Sequence, residues 1–138
     1  MGARVHGKTL GIVGLGAIGQ ADIVSLNCPL TESSYHLMNA NMLGKMKSGA
    51  ILINTGRGAL VDEEALVSAL ASGHLGGAGL DVFEFEPSIT PELLDFDNVT
   101  VLPQIGSATL ECRTDMAMTA FSNIQRFLVE GEPLDACI

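Results

Sequence analysis

Four short stretches hold the residue types from which a chemical site could be built. Gly14-Leu15-Gly16-Ala17-Ile18-Gly19 has the spacing of a loop that cradles a dinucleotide. In that reading Gly14 makes the tight turn, Gly16 admits a pyrophosphate and Gly19 lets a helix lie close to a strand. The other reading is a glycine-rich loop with no ligand. Arg57, within Asn54-Thr55-Gly56-Arg57-Gly58, could grip a carboxylate through two parallel hydrogen bonds, or stand solvated in a turn. Asp81 sits in an apolar run, where a carboxylate must be paired, hydrogen-bonded or at a strand end. Glu86-Pro87 follows it, and Glu84 and Glu86 also read as plain surface acids. Pro103-Gln104-Ile105-Gly106-Ser107 precedes a long helical pattern, and capping by Ser107 or Thr109 would by itself account for those hydroxyls.

The elements that must position these residues alternate along the chain. Apolar runs at Thr9–Val13, Asp22–Leu26, Ala50–Asn54, Gly79–Phe83 and Val99–Leu102 read as buried strands. Asn39 can cap a short helix through Met46, with Gly49 beyond its end. Asp62-Glu63-Glu64 places acids on the first turn of a second helix, where the macrodipole favours them, and Gly73 stops it. A third helix runs from about Thr109 to Glu130, with Ala117, Ala120, Phe121, Ile124, Phe127 and Leu128 at helical spacing. Glu84 to Asn98 is a longer, acidic connection. Continuous apolar strands alternating with helices predict an α/β fold: an incomplete Rossmann-like, mostly parallel sheet with helices on both faces. All four candidate stretches then fall just past the carboxyl end of a strand, where open α/β sheets bind ligands.

Composition narrows the function classes. The chain has 138 residues, 47% hydrophobic and 17% charged, which suits one globular domain. The net charge of −9, with seven Lys plus Arg, excludes the basic footprint of a nucleic-acid binder. No apolar run approaches the ~20 residues of a membrane span. The start, with a few basic residues before a glycine-broken apolar run, does not read as a signal peptide. Cys28, Cys112 and Cys137 show no paired or metal-ligand spacing, so reduced thiols, no metal and a cytoplasmic setting are expected. His6, His36 and His74 read as surface residues.

With these residues on the page, the chain resembles the D-isomer-specific 2-hydroxyacid dehydrogenases. The segments GKTLGIVGLGAIGQ, ADIVSLNCPLT, GAILINTGRGALVDEEAL, GAGLDVFEFEP and LPQIGSAT follow the family's signatures in order over nearly the whole length. Among subfamilies it looks most like the glyoxylate and hydroxypyruvate reductases. The resemblance implies hydride transfer between NAD or NADP and a small 2-keto or 2-hydroxy acid, in a two-lobed subunit that is usually dimeric. It implies that Arg57 holds the substrate carboxylate and polarises the keto group, and that Glu86 hydrogen-bonds the catalytic histidine. It implies Asp81 at the nicotinamide end, Ala17 and Ile18 under the pyrophosphate, Cys28, Pro29 and Thr55 along the cofactor cleft, and Gly106 and Ser107 at the nicotinamide amide.

Three departures from the family pattern shape the expectation. The strand at Ile23 begins almost at once after the glycine loop, since Gly14 to Ala21 supplies eight residues where a crossover with its helix needs ~10–12. The implied deletion, between about residues 19 and 22, removes the helix after the loop and the residue that reads the ribose. Gln104 stands where the family has its proton-donating histidine, and an amide has no proton to give near neutral pH. The family's substrate lobe precedes the GKTLGIVG strand, and its closure excludes water. Residues 1–138 are therefore expected to form a single shortened dinucleotide-binding domain, with weak cofactor binding and little or no activity by itself. The alternative expectation is a non-catalytic remnant acting as a dimerisation or interaction module, pairing with itself or with a full-length relative through the sheet edge bared by the deletion. That bared edge also leaves apolar surface that could prevent stable folding.

Overall fold

The structure, a computed structural model, describes residues 9–12 and 20–132. Two compact units are present, one up to Gln104 and one from Ile105 onward. The first is a five-stranded parallel sheet in the order β1 (Leu10–Ile12), β2 (Ile23–Leu26), β3 (Ile51–Asn54), β4 (Gly77–Leu80), β5 (Val99–Val101). Every neighbouring pair is parallel. The predicted Rossmann-like parallel sheet is thus present.

Register brings the carboxyl ends of the central strands level. Leu26 lies opposite Asn54, and Asn54 opposite Leu80, which in turn faces Val101. The loops that leave β2, β3 and β4 therefore start from a common rim. β4 ends at Leu80, so Asp81 is not inside a strand as expected; it is the first residue past one. The strand also begins two residues earlier than expected, at Gly77.

α1 (Ala40–Gly44) joins β2 to β3 and α2 (Glu63–Ala71) joins β3 to β4. Right-handed crossovers running the same way across a sheet put both helices on one face. Leu43 of α1 and Leu66 and Leu70 of α2 accordingly share one core with Val24, Leu26, Leu52, Ala78 and Leu80. The alternate residues, Ile23, Ser25, Ile51, Ile53 and Gly79, are only half-buried. Helices were expected on both faces; among the described residues of this unit, α1 and α2 cover one.

Local chemistry accounts for the helix bounds. The Asn39 side chain accepts the Asn41 and Met42 N–H groups, and Asp62 accepts that of Ala65, as N-caps do. Gly49 and Gly73 lie beyond the helix ends with φ of 78° and 72°, conformations that glycine enters without steric cost. β1 is less buried than expected: it is an edge strand, paired on one side to β2, and Leu10 is 59% exposed.

The second unit contains α3 (Leu110–Glu130), capped by Thr109 accepting the Cys112 N–H and closed by Gly131 in the left-handed conformation. Of the two hydroxyls considered for the cap, Thr109 makes it. Among the described residues no helix is long and apolar enough to cross a membrane.

Candidate active-site rim

Three of the sequence-selected residues line one cavity. Asp81, Glu86 and Gln104 meet there with Phe83, Pro87, Ile89 and Pro103 around a volume of about 360 Å³. The cavity lies at the carboxyl ends of β4 and β5, the place where an open parallel sheet offers ligands a crevice. A larger hollow of about 740 Å³ runs along the half-buried face of the sheet, over Ile51, Ile53, Gly77, Gly79 and Thr100, with Thr55 and Asp81 at its upper end. It is a sheet face rather than a convergence of polar groups.

Each side chain has an identifiable local cause for its position. Asp81 is buried to 7% exposure, and its N–H bonds the Asn54 carbonyl at 3.0 Å, which carries the ladder one residue past β4. The Glu86 Oε1 accepts the N–H of Phe83 at 3.0 Å, closing a tight loop on itself. Gln104 has φ of 52°, a left-handed conformation costly for a residue with a Cβ. Such strain persists where surrounding structure over-determines it, and it clusters at functional sites.

Arg57 does not line this cavity. It is exposed, and its Nη1 donates to the Gly56 carbonyl at 2.8 Å. Its turn is nonetheless held at the same rim. Buried Asn54 donates from Nδ2 to the Arg57 carbonyl at 2.9 Å and accepts the Gly56 N–H at 3.1 Å, an Asx turn. Gly58 then packs on the backbone of Phe83 and Glu84 so closely that a Cβ there would overlap the Phe83 carbonyl. Arg57 is thereby one residue from direct contact with the loop that carries Glu86.

The remaining selected residues fall in three groups. Cys28 and Pro29 follow β2 and Thr55 follows β3; the Cys28 carbonyl lies 3.5 Å from where a Cβ of Gly56 would stand, so these two loops adjoin. Gly106 and Ser107 belong to the second unit, in the turn ahead of α3. Gly14, Gly16, Ala17, Ile18 and Gly19 lie outside the described residues.

The structure also reveals polar groups that the sequence hid. Glu63 reads in sequence as an acid on a helix first turn, favoured there by the macrodipole; it is in fact buried, 2% exposed. Its Oε1 accepts the Glu84 N–H at 2.8 Å and its Oε2 accepts the Thr90 hydroxyl. His36, expected at the surface, is half-buried, with Nε2 2.6 Å from Glu84 Oε1. The Tyr35 hydroxyl donates to the same oxygen at 3.3 Å, and its ring stacks on His36 with centroids 4.0 Å apart. Partial desolvation, then the Glu84 carboxylate beside it, push the Tyr35 phenol above its ordinary value. No motif announces these residues; the only sequence signal was an acid placed on a helix first turn and a histidine just after a strand.

Comparison with known proteins converges on one family. The family model described as D-isomer specific 2-hydroxyacid dehydrogenase, NAD binding domain, matches residues 20–106. Glyoxylate/hydroxypyruvate reductase B of Escherichia coli strain UMN026 is 42% identical over 166 residues, covering 89% of this chain and 51% of its own. The crystal structure of a glyoxylate reductase from Paecilomyes thermophila superposes with a TM-score of 0.91 at 33% identity, over 97% of this chain and 53% of that one. The NADPH-dependent glyoxylate/hydroxypyruvate reductase of Sinorhizobium meliloti, solved with NADP and malonate, also reaches 0.91, at 31% identity over 95% of this chain and 53% of that one. The chain spans about half the length of the curated relatives it matches.

Proposed function

This chain belongs to the D-isomer-specific 2-hydroxyacid dehydrogenases and matches their NAD-binding domain, and from that premise we propose that it is the cofactor-binding part of an NAD(P)-dependent oxidoreductase. The reaction is hydride transfer between a nicotinamide cofactor and a small 2-keto or 2-hydroxy acid, with glyoxylate or hydroxypyruvate as the substrate class. The observation that carries this reading is the meeting of Asp81, Glu86 and Gln104 around one cavity at the carboxyl rim, inside the matched region.

The donor set at that rim suits the nicotinamide end of the cofactor. A buried carboxylate at Asp81 can accept hydrogens from a carboxamide, and the loops bearing Cys28, Pro29 and Thr55 adjoin along the crevice. When bound, the cofactor supplies or accepts the hydride. Arg57 binds the substrate carboxylate after swinging off the Gly56 carbonyl. Gln104 donates a hydrogen bond to the keto oxygen without delivering a proton. Glu86 faces the same cavity, where the family pairs it with a histidine that this chain lacks.

The alignment supports a shortened domain. It runs for 166 positions yet takes up only 89% of a 138-residue chain, so the relative carries a stretch with no counterpart here. The family match begins at residue 20, directly after the glycine loop. On this reading the deletion lies between about residues 19 and 22, the adenosine half of the cofactor site is reduced, and the 138-residue chain turns over slowly or not at all. A steady-state assay with glyoxylate and hydroxypyruvate, each with NADH and NADPH, tests it. Turnover within about tenfold of a typical enzyme rate of ~10 s⁻¹ would overturn the expected weakness.

A second reading, a dimerisation or interaction module, is favoured by β1. Among the described residues nothing pairs with its outer side, and open strand edges recruit partners. Sedimentation at several concentrations tests this, and a strict monomer speaks against it.

A further inference from the structure

The segment 84–90, which carries Glu86, is tied at both ends by a residue from another element. One oxygen of buried Glu63 takes the Glu84 N–H and the other takes the Thr90 hydroxyl. A buried carboxylate is costly unless its hydrogen-bonding capacity is met, so Glu63 holds these two partners firmly. The Glu84 side chain points the other way, onto His36 and Tyr35 of the loop after β2. His36 in turn gives its backbone N–H to the Ala59 carbonyl at 2.9 Å, in the turn that follows Arg57. It does so at φ of 48°, a strained conformation for a residue with a Cβ, which these two bonds hold in place. Gly58 closes the circuit against the Phe83–Glu84 backbone.

Three loops from three strands are thus clasped together, and strand pairing by itself requires none of these side chains. The geometry points to Glu63 and His36 as positioning residues: they touch no candidate ligand, but they set the distance between Arg57 and Glu86. The functional half of this claim rests on the reading of Arg57 and Glu86 given above. A displacement of about 1 Å in a reacting constellation costs on the order of 10²-fold, so a remote clasp of this kind has leverage on binding and rate.

The test is hydrogen–deuterium exchange on the full 138-residue chain, comparing wild type with Glu63→Gln, His36→Ala and His36→Gln. Exchange across 83–90 should accelerate about tenfold or more in Glu63→Gln and His36→Ala, while β3 keeps its protection. Added imidazole should restore protection to His36→Ala, and His36→Gln, which keeps a donor, should retain most of it. Unchanged exchange across 83–90, equal acceleration through β3, or failure of imidazole to rescue would each overturn the clasp. Oxamate, an isostere of a 2-keto acid, is titrated in parallel by NMR. Its affinity should fall about tenfold in His36→Ala and recover with imidazole. A wild-type chain that ignores oxamate would sink the proposed substrate class, and the exchange result would still decide the clasp.

Discussion

Tyr35 is the chain's one tyrosine, and there is no tryptophan. Its phenol therefore reports optically on the Tyr35–His36–Glu84 cluster alone. Desolvation first, then the Glu84 charge and hydrogen bond, then Asp62, hold its proton more tightly than in the unfolded chain. A group whose folded value is raised contributes stability that is whole below the unfolded value, here 10.0, and is lost as pH rises through the folded one. Phenolate absorbance should accordingly titrate at higher pH in the native chain than in urea, and Glu84→Gln should move the native curve toward the unfolded one; coincident native and unfolded curves would contradict the bond. At Gln104 the expectation concerns rate. Gln104→His restores a group that can pass a proton, worth ~10²–10⁴-fold in general acid–base catalysis, and glyoxylate reduction should rise within that range. An unchanged rate would mean that the shortening after the glycine loop, and not position 104, limits turnover. Glu86 and Gln104 stood out because each follows a strand in sequence, and Asp81 because a carboxylate interrupts an apolar run. Glu63 and His36 were not, since their partners lie 21 and 48 residues away and no local pattern encodes burial by a distant loop.

Helices were easier to read than strands, and capping is the reason. Asn39, Asp62 and Thr109 act within three residues of themselves, so their roles show in a short window. Replacing Asp62 by Ala should cost about 1 kcal/mol in denaturant unfolding. The expected start of β4 was two residues late because Gly76-Gly77-Ala78-Gly79 has almost no side chains to carry a strand pattern. Pairing with β3 and β5 overrides that, and the absent Cβ atoms serve close packing: one on Gly77 would lie 2.5 Å from the Asn98 carbonyl oxygen. Gly58→Ala is expected to be more disruptive than the cap, at about 2–4 kcal/mol, because backbone rather than a movable side chain fills the space. A loss under about 0.5 kcal/mol would mean the β3 and β4 loops separate easily.

At the scale of the whole sheet, parallel strands followed from the alternation of apolar runs and helices, whereas the strand order and the placement of α1 and α2 on one face did not. Periodicity reports that a strand is apolar; it does not say which element arrives to cover each side. Calorimetric titration with NADH should detect millimolar binding or none, since a helix N-terminus after the glycine loop is what ordinarily holds the pyrophosphate. Micromolar affinity would show that eight residues suffice for that loop.

α3 buries none of its 21 residues, and Phe121, Ile124, Phe127 and Leu128 stand in water. Local terms that support the helix are the Thr109 and Gly131 ends and the Arg126–Glu130 pair. Most helical stability in proteins comes from packing an apolar face rather than from propensity, and within its own unit α3 buries none of its own. A protease should therefore cut within the second unit, from residue 105 onward, long before it nicks the sheet, so that the exposed phenylalanines of α3 mark where the polypeptide is first lost.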